Sequence, residues 1–103
     1  MKDEIQNLGG NVQLTGFREI EGSSMIVVNK LIGTYAKKMS EHAEKMESLH
    51  ITLKPVHKRE KSEIYEIHAK LVDNGRVYAS EAVDRNLFVA VDDVLKRIVS
   101  EMD

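Results

Sequence analysis

The side chains that could carry out chemistry in this chain of 103 residues are four histidines and many serines and carboxylates, but their spacing matches no catalytic or metal-binding motif. No His-x₃-His or His-Glu-x-x-His pair occurs, and cysteine, the thiolate ligand of zinc, is absent. Neither a nucleophile elbow nor a glycine-rich phosphate loop is present. His50 and His68 would share a sheet face only if their strands are neighbours, and Glu63, Glu66 and Glu81 would need a fold that brings them together. We therefore predict a protein that is not an enzyme, with no catalytic residues, no metal site, no cofactor and no small-molecule substrate.

Basic side chains on two predicted helices are the stronger candidates for a functional surface. Lys30 and Lys37 are seven residues apart, so two helical turns bring them to one exposed strip opposite the apolar stripe of their helix. If the helices lie side by side, their cations form one basic surface that suits a phosphate backbone. Composition alone favours a simpler interpretation, a solvated helix face whose charge Asp92 and Asp93 dilute. The candidate RNA-binding residues are Lys30, Lys37, Lys38, Arg85, Lys96 and Arg97.

The elements that position these residues follow two hydrophobic periods. Alternating patterns predict strands, and apolar stripes at three- and four-residue spacing predict helices. The predicted order is a strand at 12–17, a helix at 22–39, strands at 49–56, 63–72 and 76–82, and a helix at 84–102. Asp73, Asn74 and Gly75 supply a strong hairpin signal, so the third and fourth strands should pair antiparallel.

Each predicted strand has one apolar face, which indicates a sheet with one covered face. We predict an α+β fold, a β-α-β-β-β-α two-layer sandwich with a four-stranded mixed sheet and two helices on one face. Residues 1–10 end in Gly9-Gly10 and lack periodicity, so they are predicted to be a mobile N-terminal arm before a single domain at 11–103. Residues 40–48 fit either a further helical turn or a loop, and residues 57–61 are predicted to be an exposed, mobile connection.

Composition limits the class of protein. Hydrophobic residues make up 42% of the chain, which is enough for a two-layer core. No run approaches the roughly 18 apolar residues that span a bilayer, and no apolar segment follows the charged N-terminus. Together with the lack of cysteine, this predicts a cytoplasmic protein without membrane contact. The net charge of −2 weakens a nucleic-acid function without excluding it, because a local basic patch can act within an acidic total.

Five short strings, taken in order, carry a resemblance. They are Val12-Gln13-Leu14-Thr15-Gly16, Ala36-Lys37-Lys38-Met39, His50-Ile51-Thr52-Leu53, Asp73-Asn74-Gly75 and Asn86-Leu87-Phe88-Val89-Ala90-Val91-Asp92-Asp93-Val94-Leu95-Lys96-Arg97. With the element order, they resemble the ribosome hibernation-promoting factor family, also called ribosome-associated inhibitor or Y proteins, from about residue 12 to residue 101. The last string is the most specific, because it matches the pattern of hydrophobic, aromatic, acidic and basic positions in the family's final helix.

The resemblance implies a protein that binds the small ribosomal subunit and its rRNA near the decoding centre and silences or protects idle ribosomes under stress. In this family the two helices contact phosphates, and the positions carried over are Lys30, Lys37, Lys38, Lys96 and Arg97. The chain departs from the family at its end, Ser100-Glu101-Met102-Asp103, where members usually have a strongly basic helix and tail. Fewer phosphate contacts imply weaker binding that resists salt less well. The chain thus resembles a divergent short form, without the extension through which long forms dimerise.

Other interpretations remain open. A double-stranded-RNA-binding domain has a similar α-β-β-β-α core, but it carries a lysine cluster at the start of its last helix, where this chain has only Arg85. A protein-interaction or homodimerisation module on the same fold would use the open sheet face, and an exposed apolar patch around Ile64, Val72 and Tyr78 would favour it. A continuous positive strip across both helices would favour RNA. An enzyme would need a deep pocket with convergent polar groups.

Overall fold

The computed structural model describes residues 5–54, 57–59 and 62–102. Two helices, α1 (Gly22–His42) and α2 (Leu87–Met102), accompany a mixed sheet. The strands are β1 (Ile5–Gly9), β2 (Val12–Thr15), β3 (Met46–Leu53), β4 (His57–Arg59), β5 (Ser62–Asp73) and β6 (Arg76–Asp84). The predicted α+β class with two helices and a mixed sheet is confirmed, but the predicted number of strands is wrong.

The sheet is five strands wide rather than four, in the order β1-β2-β3-β5-β6. β2 and β3 run parallel, as the crossover through α1 requires, and the other described neighbours run antiparallel. β4 adds no further position across the sheet. Because Leu53 pairs with Ile67 and His57 pairs with Ile64, β4 continues the line of β3 along β5.

The additional strand is β1, which occupies part of the predicted N-terminal arm. Ile5–Gly9 pairs antiparallel with β2, so residues 5–9 belong to the sheet; residues 1–4 of the predicted arm lie outside the described residues. The connecting turn has positive φ at Gly10 and Asn11. Sequence patterns missed this strand because it lies at the sheet edge with all five residues exposed, and so it has no apolar alternation.

Both helices pack on one face of the sheet and share its core. Leu49, Ile51, Ile67 and Leu71 project from the covered face and are fully buried. The helices complete this core with Val28, Ile32, Met39, Leu87, Ala90, Val91, Val94, Leu95 and Ile98. Burial of apolar surface at about 25 cal/mol per Å² stabilises the two layers and offsets the low helix propensity of Gly33 within α1.

Several element ends differ from the prediction. α1 and β3 take up most of residues 40–48. Of the predicted mobile connection at 57–61, residues 57–59 form β4, and residues 60 and 61 lie outside the described residues. α2 begins at Leu87 rather than at residue 84, because the Asn86 side chain accepts hydrogen bonds from the backbone N–H groups of Phe88 and Val89 at 2.9 and 3.2 Å. Neither of the described helices combines the length and apolar character needed to cross a membrane.

Candidate nucleic-acid interface

The outward face of α1 carries a row of two lysines. The buried stripe of the helix is formed by Val28, Ile32 and Met39, and Lys30 and Lys37 project from the opposite side, where both are exposed. At 1.5 Å per residue, the two positions lie about 10 Å apart along the helix axis. Two ammonium groups at this spacing on a convex surface can contact separate phosphates of one backbone.

A tyrosine–aspartate bridge brings Lys38 and Lys96 to the junction of the two helices. The Tyr35 hydroxyl donates a hydrogen bond of 2.7 Å to Asp92 Oδ1 and so connects α1 to α2. Lys38 Nζ lies 5.4 Å from the centroid of the Tyr35 ring, and Lys96 Nζ lies 3.4 Å from Asp92 Oδ2. The two cations therefore flank one shared contact between the helices, although the carboxylate of Asp92 offsets part of the charge of Lys96.

The bridge keeps Tyr35 in its protonated form. Burial raises the pKa of the Tyr35 hydroxyl to about 12, and the hydrogen bond to Asp92 together with the negative charges of Asp92 and Asp93 adds to this shift. The hydroxyl therefore remains a hydrogen-bond donor even at alkaline pH, and the bridge joins α1 to α2 at this point.

Arg97 and Arg85 lie apart from this cluster. Arg97 Nη1 donates a hydrogen bond of 3.1 Å to the carbonyl oxygen of Glu81 on β6, so its guanidinium lies at the edge of the sheet. Arg85 is exposed in the short connection before α2, between Asp84 and the N-cap Asn86. The structure therefore places Lys38 and Lys96 beside one bridge and Lys30 and Lys37 on the outward face of α1, whereas Arg97 and Arg85 lie at separate flanks.

The basic character of the helix layer belongs mainly to α1. α1 contains three lysines and a single carboxylate, Glu41, whereas α2 contains two cations against the three carboxylates of Asp92, Asp93 and Glu101. A continuous positive strip across both helices, which would have favoured RNA most strongly, is therefore not formed within the described residues. The surface offers a compact basic patch on α1 with one further lysine beside it.

The apolar patch that would have favoured a protein partner is not exposed around Ile64, Val72 and Tyr78. Ile64, Val72 and Tyr78 are each only partly exposed, and Tyr78 packs against the core. On β6, Val77 and Val83 are instead 55% and 60% exposed. They alternate with the core-facing residues and so project from the open face of the sheet.

His50 and His68 lie on the open face of neighbouring strands, the arrangement that the sequence left conditional, and His68 has two carboxylates beside it. His68 Nε2 lies 2.7 Å from Glu66 Oε2 and 3.5 Å from Glu81 Oε1. On the neighbouring part of the face, His50 shares a hydrogen bond of 2.7 Å with the hydroxyl of Thr15. The contact of His68 with Glu81 follows from the pairing of β5 with β6, and the contact of His50 with Thr15 follows from the pairing of β2 with β3. Glu66 and His68 are neighbours on one face of β5.

An open groove of about 600 Å³ lies between the β1–β2 turn and α1. Its lining is mostly apolar and includes Leu8, Val12, Ile32 and Met46. Lys37 is the one charged residue among the described residues that line it. Its polar side chains are those of Asn29, Lys37 and Ser40, and no carboxylate or histidine is among the described residues that line it.

The comparisons with known proteins give a likeness of fold. No protein-family model and no curated protein matches the chain. The crystal structure of the N-terminal domain of Thermus thermophilus Protein Y is similar, with a TM-score of 0.51 and 20% sequence identity. The match covers 82% of this chain and 83% of that domain. At this level of identity the similarity concerns the arrangement of helices and strands.

Proposed function

We propose that this chain is a non-enzymatic ribosome-binding protein that occupies the decoding region of the small subunit and silences or protects idle ribosomes. The observation that carries the proposal is the outward lysine row of α1 on a fold like that of the Protein Y domain. The short strings in β2, β3 and α2 that resemble the hibernation-factor family support it independently of the structure. The proposed partner is the small subunit with its rRNA, the proposed setting is the cytoplasm under stress, and no membrane or small molecule takes part.

The proposed mechanism is steric occupancy held by phosphate contacts. Lys30 and Lys37 face outward and bind the RNA backbone, and Lys38 and Lys96 add contacts from the helix junction. Arg85 and Arg97 would reach phosphates only from the flanks. Because such contacts release counterions, affinity should fall as the salt concentration rises.

The net charge of the chain shapes this binding. With a total of −2, the protein has little long-range attraction to RNA, and the local field of α1 must guide association. Few phosphate contacts also mean a modest salt slope. We therefore expect weak, readily reversible binding that suits temporary occupancy of an idle ribosome.

A charge-reversal pair tests the role of α1. The variant Lys30→Glu with Lys37→Glu should retain the fold, because both side chains are exposed opposite the core stripe. Losing two phosphate contacts should reduce the slope of log affinity against log salt by about 1.4 to 1.8. The matched control is Lys54→Glu with Lys70→Glu, which makes the same change in net charge at exposed positions of the sheet.

Co-sedimentation with purified small subunits and circular dichroism of each variant distinguish the outcomes. We expect the α1 pair to lose binding while the control pair retains most of it. If both double variants lost binding equally, the loss would be due to the change in net charge, and α1 would not be part of the interface. Unchanged binding by the α1 variant would contradict the phosphate-contact mechanism.

A second candidate function, homodimerisation, has one specific observation in its favour. β6 forms an edge of the sheet and exposes Val77 and Val83. Edge strands with exposed apolar residues are the usual sites of strand-to-strand association. This edge is independent of the lysine row on α1.

A further inference from the structure

The free edge of β6 has the geometry of a pairing strand. All nine residues of β6 pair with β5 in one unbroken register, from Arg76 opposite Asp73 to Asp84 opposite Tyr65. The other edge strand, β1, has five residues and an irregular register between Asn7 and Gly9, which makes it a poor template. β6 is therefore the regular edge of this sheet within the described residues.

The hydrogen-bonding groups of the free edge can be assigned. The Glu66 carbonyl accepts a hydrogen bond from Lys54, so the residues of β5 that alternate with Glu66 are the ones that bond to β6. The Glu81 carbonyl accepts from Arg97, away from β5, and gives the same assignment independently. The backbone groups of Val77, Ala79, Glu81 and Val83 consequently point outward.

We propose that this edge joins a second copy of the chain in an antiparallel dimer with its two-fold axis at Ser80. In this register Val77 faces Val83 of the second copy, and Ala79 faces Glu81 of the second copy. Each residue whose backbone points outward then exchanges two hydrogen bonds with the residue opposite it in the second copy. The two sheets, each five strands wide, become one continuous sheet ten strands wide. The proposal goes beyond ribosome binding and does not depend on it.

The charged and apolar side chains of β6 favour this register over its neighbours. It places Arg76 at one end of each strand opposite Asp84 of the other copy, so both ends gain opposite charges. A shift of two residues in one direction would set Glu81 against Glu81, and in the other direction it would set Val77 against Glu81. Of these three registers, only the one centred on Ser80 pairs Val77 with Val83 and also places Arg76 opposite Asp84.

Arg97 limits the strength of the dimer. Its guanidinium occupies the Glu81 carbonyl that the N–H of Ala79 in the second copy would need. Such a cap is one way in which proteins restrain an exposed edge. A small interface with two competing contacts, one from each copy, should give a dissociation constant on the order of 100 µM.

Sedimentation equilibrium between about 10 µM and about 1 mM brackets that affinity and tests the proposal. We expect a concentration-dependent dimer of the wild-type chain. Ala79→Pro should be monomeric throughout with unchanged circular dichroism, because it removes an N–H donor that points away from β5. Dimerisation of Ala79→Pro equal to that of the wild type would overturn the proposal. A wild-type chain that stays monomeric would also overturn it, and the edge would then be open to an extended segment of another protein.

A pair of charge variants tests the register and does not depend on the proline variant folding. Arg76→Asp sets aspartate against Asp84 in its own dimer, and Asp84→Arg sets arginine against Arg76. Each variant alone should dimerise at least threefold more weakly than the wild type. Their mixture restores opposite charges at both ends, so it should associate at least threefold more tightly than either variant alone. A mixture no tighter than its components would contradict this register.

Discussion

Two glycines with nearly the same backbone conformation allow the packing of the sheet to be tested by a matched pair of substitutions. Gly16 follows β2 with φ at +87°, and Gly75 lies in the β5–β6 turn with φ at +85°. An added Cβ at Gly16 would lie 2.2 Å from the carbonyl oxygen of Leu53, whereas a Cβ at Gly75 would meet nothing within 4 Å. Replacement by alanine therefore imposes the same kind of backbone strain at both sites but a backbone clash at only one.

The expected magnitudes follow from these two effects. Positive φ costs alanine about 1 to 2 kcal/mol, so Gly75→Ala should lower the free energy of unfolding by that amount. Gly16→Ala must also displace the end of β3, so we expect a total loss above about 3 kcal/mol. For a domain of this size each kcal/mol shifts Tm by about 4 to 8 °C.

Thermal unfolding followed by circular dichroism separates the two variants. Gly16→Ala should unfold at least about 4 °C below Gly75→Ala, because the two free energies of unfolding should differ by at least about 1 kcal/mol. Equal Tm values would show that the approach between β2 and β3 at Gly16 is not close, and they would refute this account of how the parallel pair ends.

Four further predictions concern the described contacts. Asp73 accepts hydrogen bonds from two backbone N–H groups of the α1–β3 connection, at 2.8 and 3.1 Å. Asp73→Ala should therefore lower the free energy of unfolding by about 2 to 4 kcal/mol, measured by chemical denaturation. A loss below about 0.5 kcal/mol would contradict this. Because the pKa of Tyr35 is raised to about 12, the folded state keeps a proton that an unfolded tyrosine loses above 10, and stability should decline as the pH rises from 10 to 12. Asp92→Asn should lower the pKa of Tyr35, measured by an NMR titration of the assigned ring resonances, and an unchanged pKa would refute the role of the bridge. Arg97→Met frees the Glu81 carbonyl, so dimerisation should strengthen by about threefold to tenfold in sedimentation, and weaker dimerisation would contradict the competing cap.

The covered side of the fold was predictable because burial leaves a periodic record. Leu49 and Ile51 alternate with polar residues, and Val91, Val94, Leu95 and Ile98 recur at helical spacing, so both sheet and helix faces could be assigned before the structure was known. The hairpin at Asp73-Asn74-Gly75 was predictable from turn chemistry, and β5 and β6 do pair antiparallel around it.

Features that depend on edges and on distant pairs were not predictable. β1 leaves no apolar pattern because every residue of it is exposed. The contact between Arg97 and the Glu81 carbonyl joins α2 to β6 across a gap of 16 residues, and a helical projection assigns Arg97 only to a flank of the apolar arc. The cluster of Glu66, His68 and Glu81 arises from the register of two strands, which single-sequence patterns do not specify.

The candidate surface was predictable in part. The exposed positions of Lys30 and Lys37 follow from helical spacing alone. Their relation to Lys96 depends on the Tyr35–Asp92 bridge, which requires knowledge of how the two helices align. The sequence could therefore indicate which cations face outward on one helix, but not which cations of the other helix join them.

The measurement that tests the central claim most directly is co-sedimentation of the wild-type chain with purified small ribosomal subunits across a salt series. The account predicts saturable binding at low salt whose log affinity falls linearly with log salt, with a slope set by a few phosphate contacts, about −2 to −4. Absence of binding even at the lowest salt would contradict the proposed function, and binding that is insensitive to salt would contradict the phosphate contacts assigned to α1.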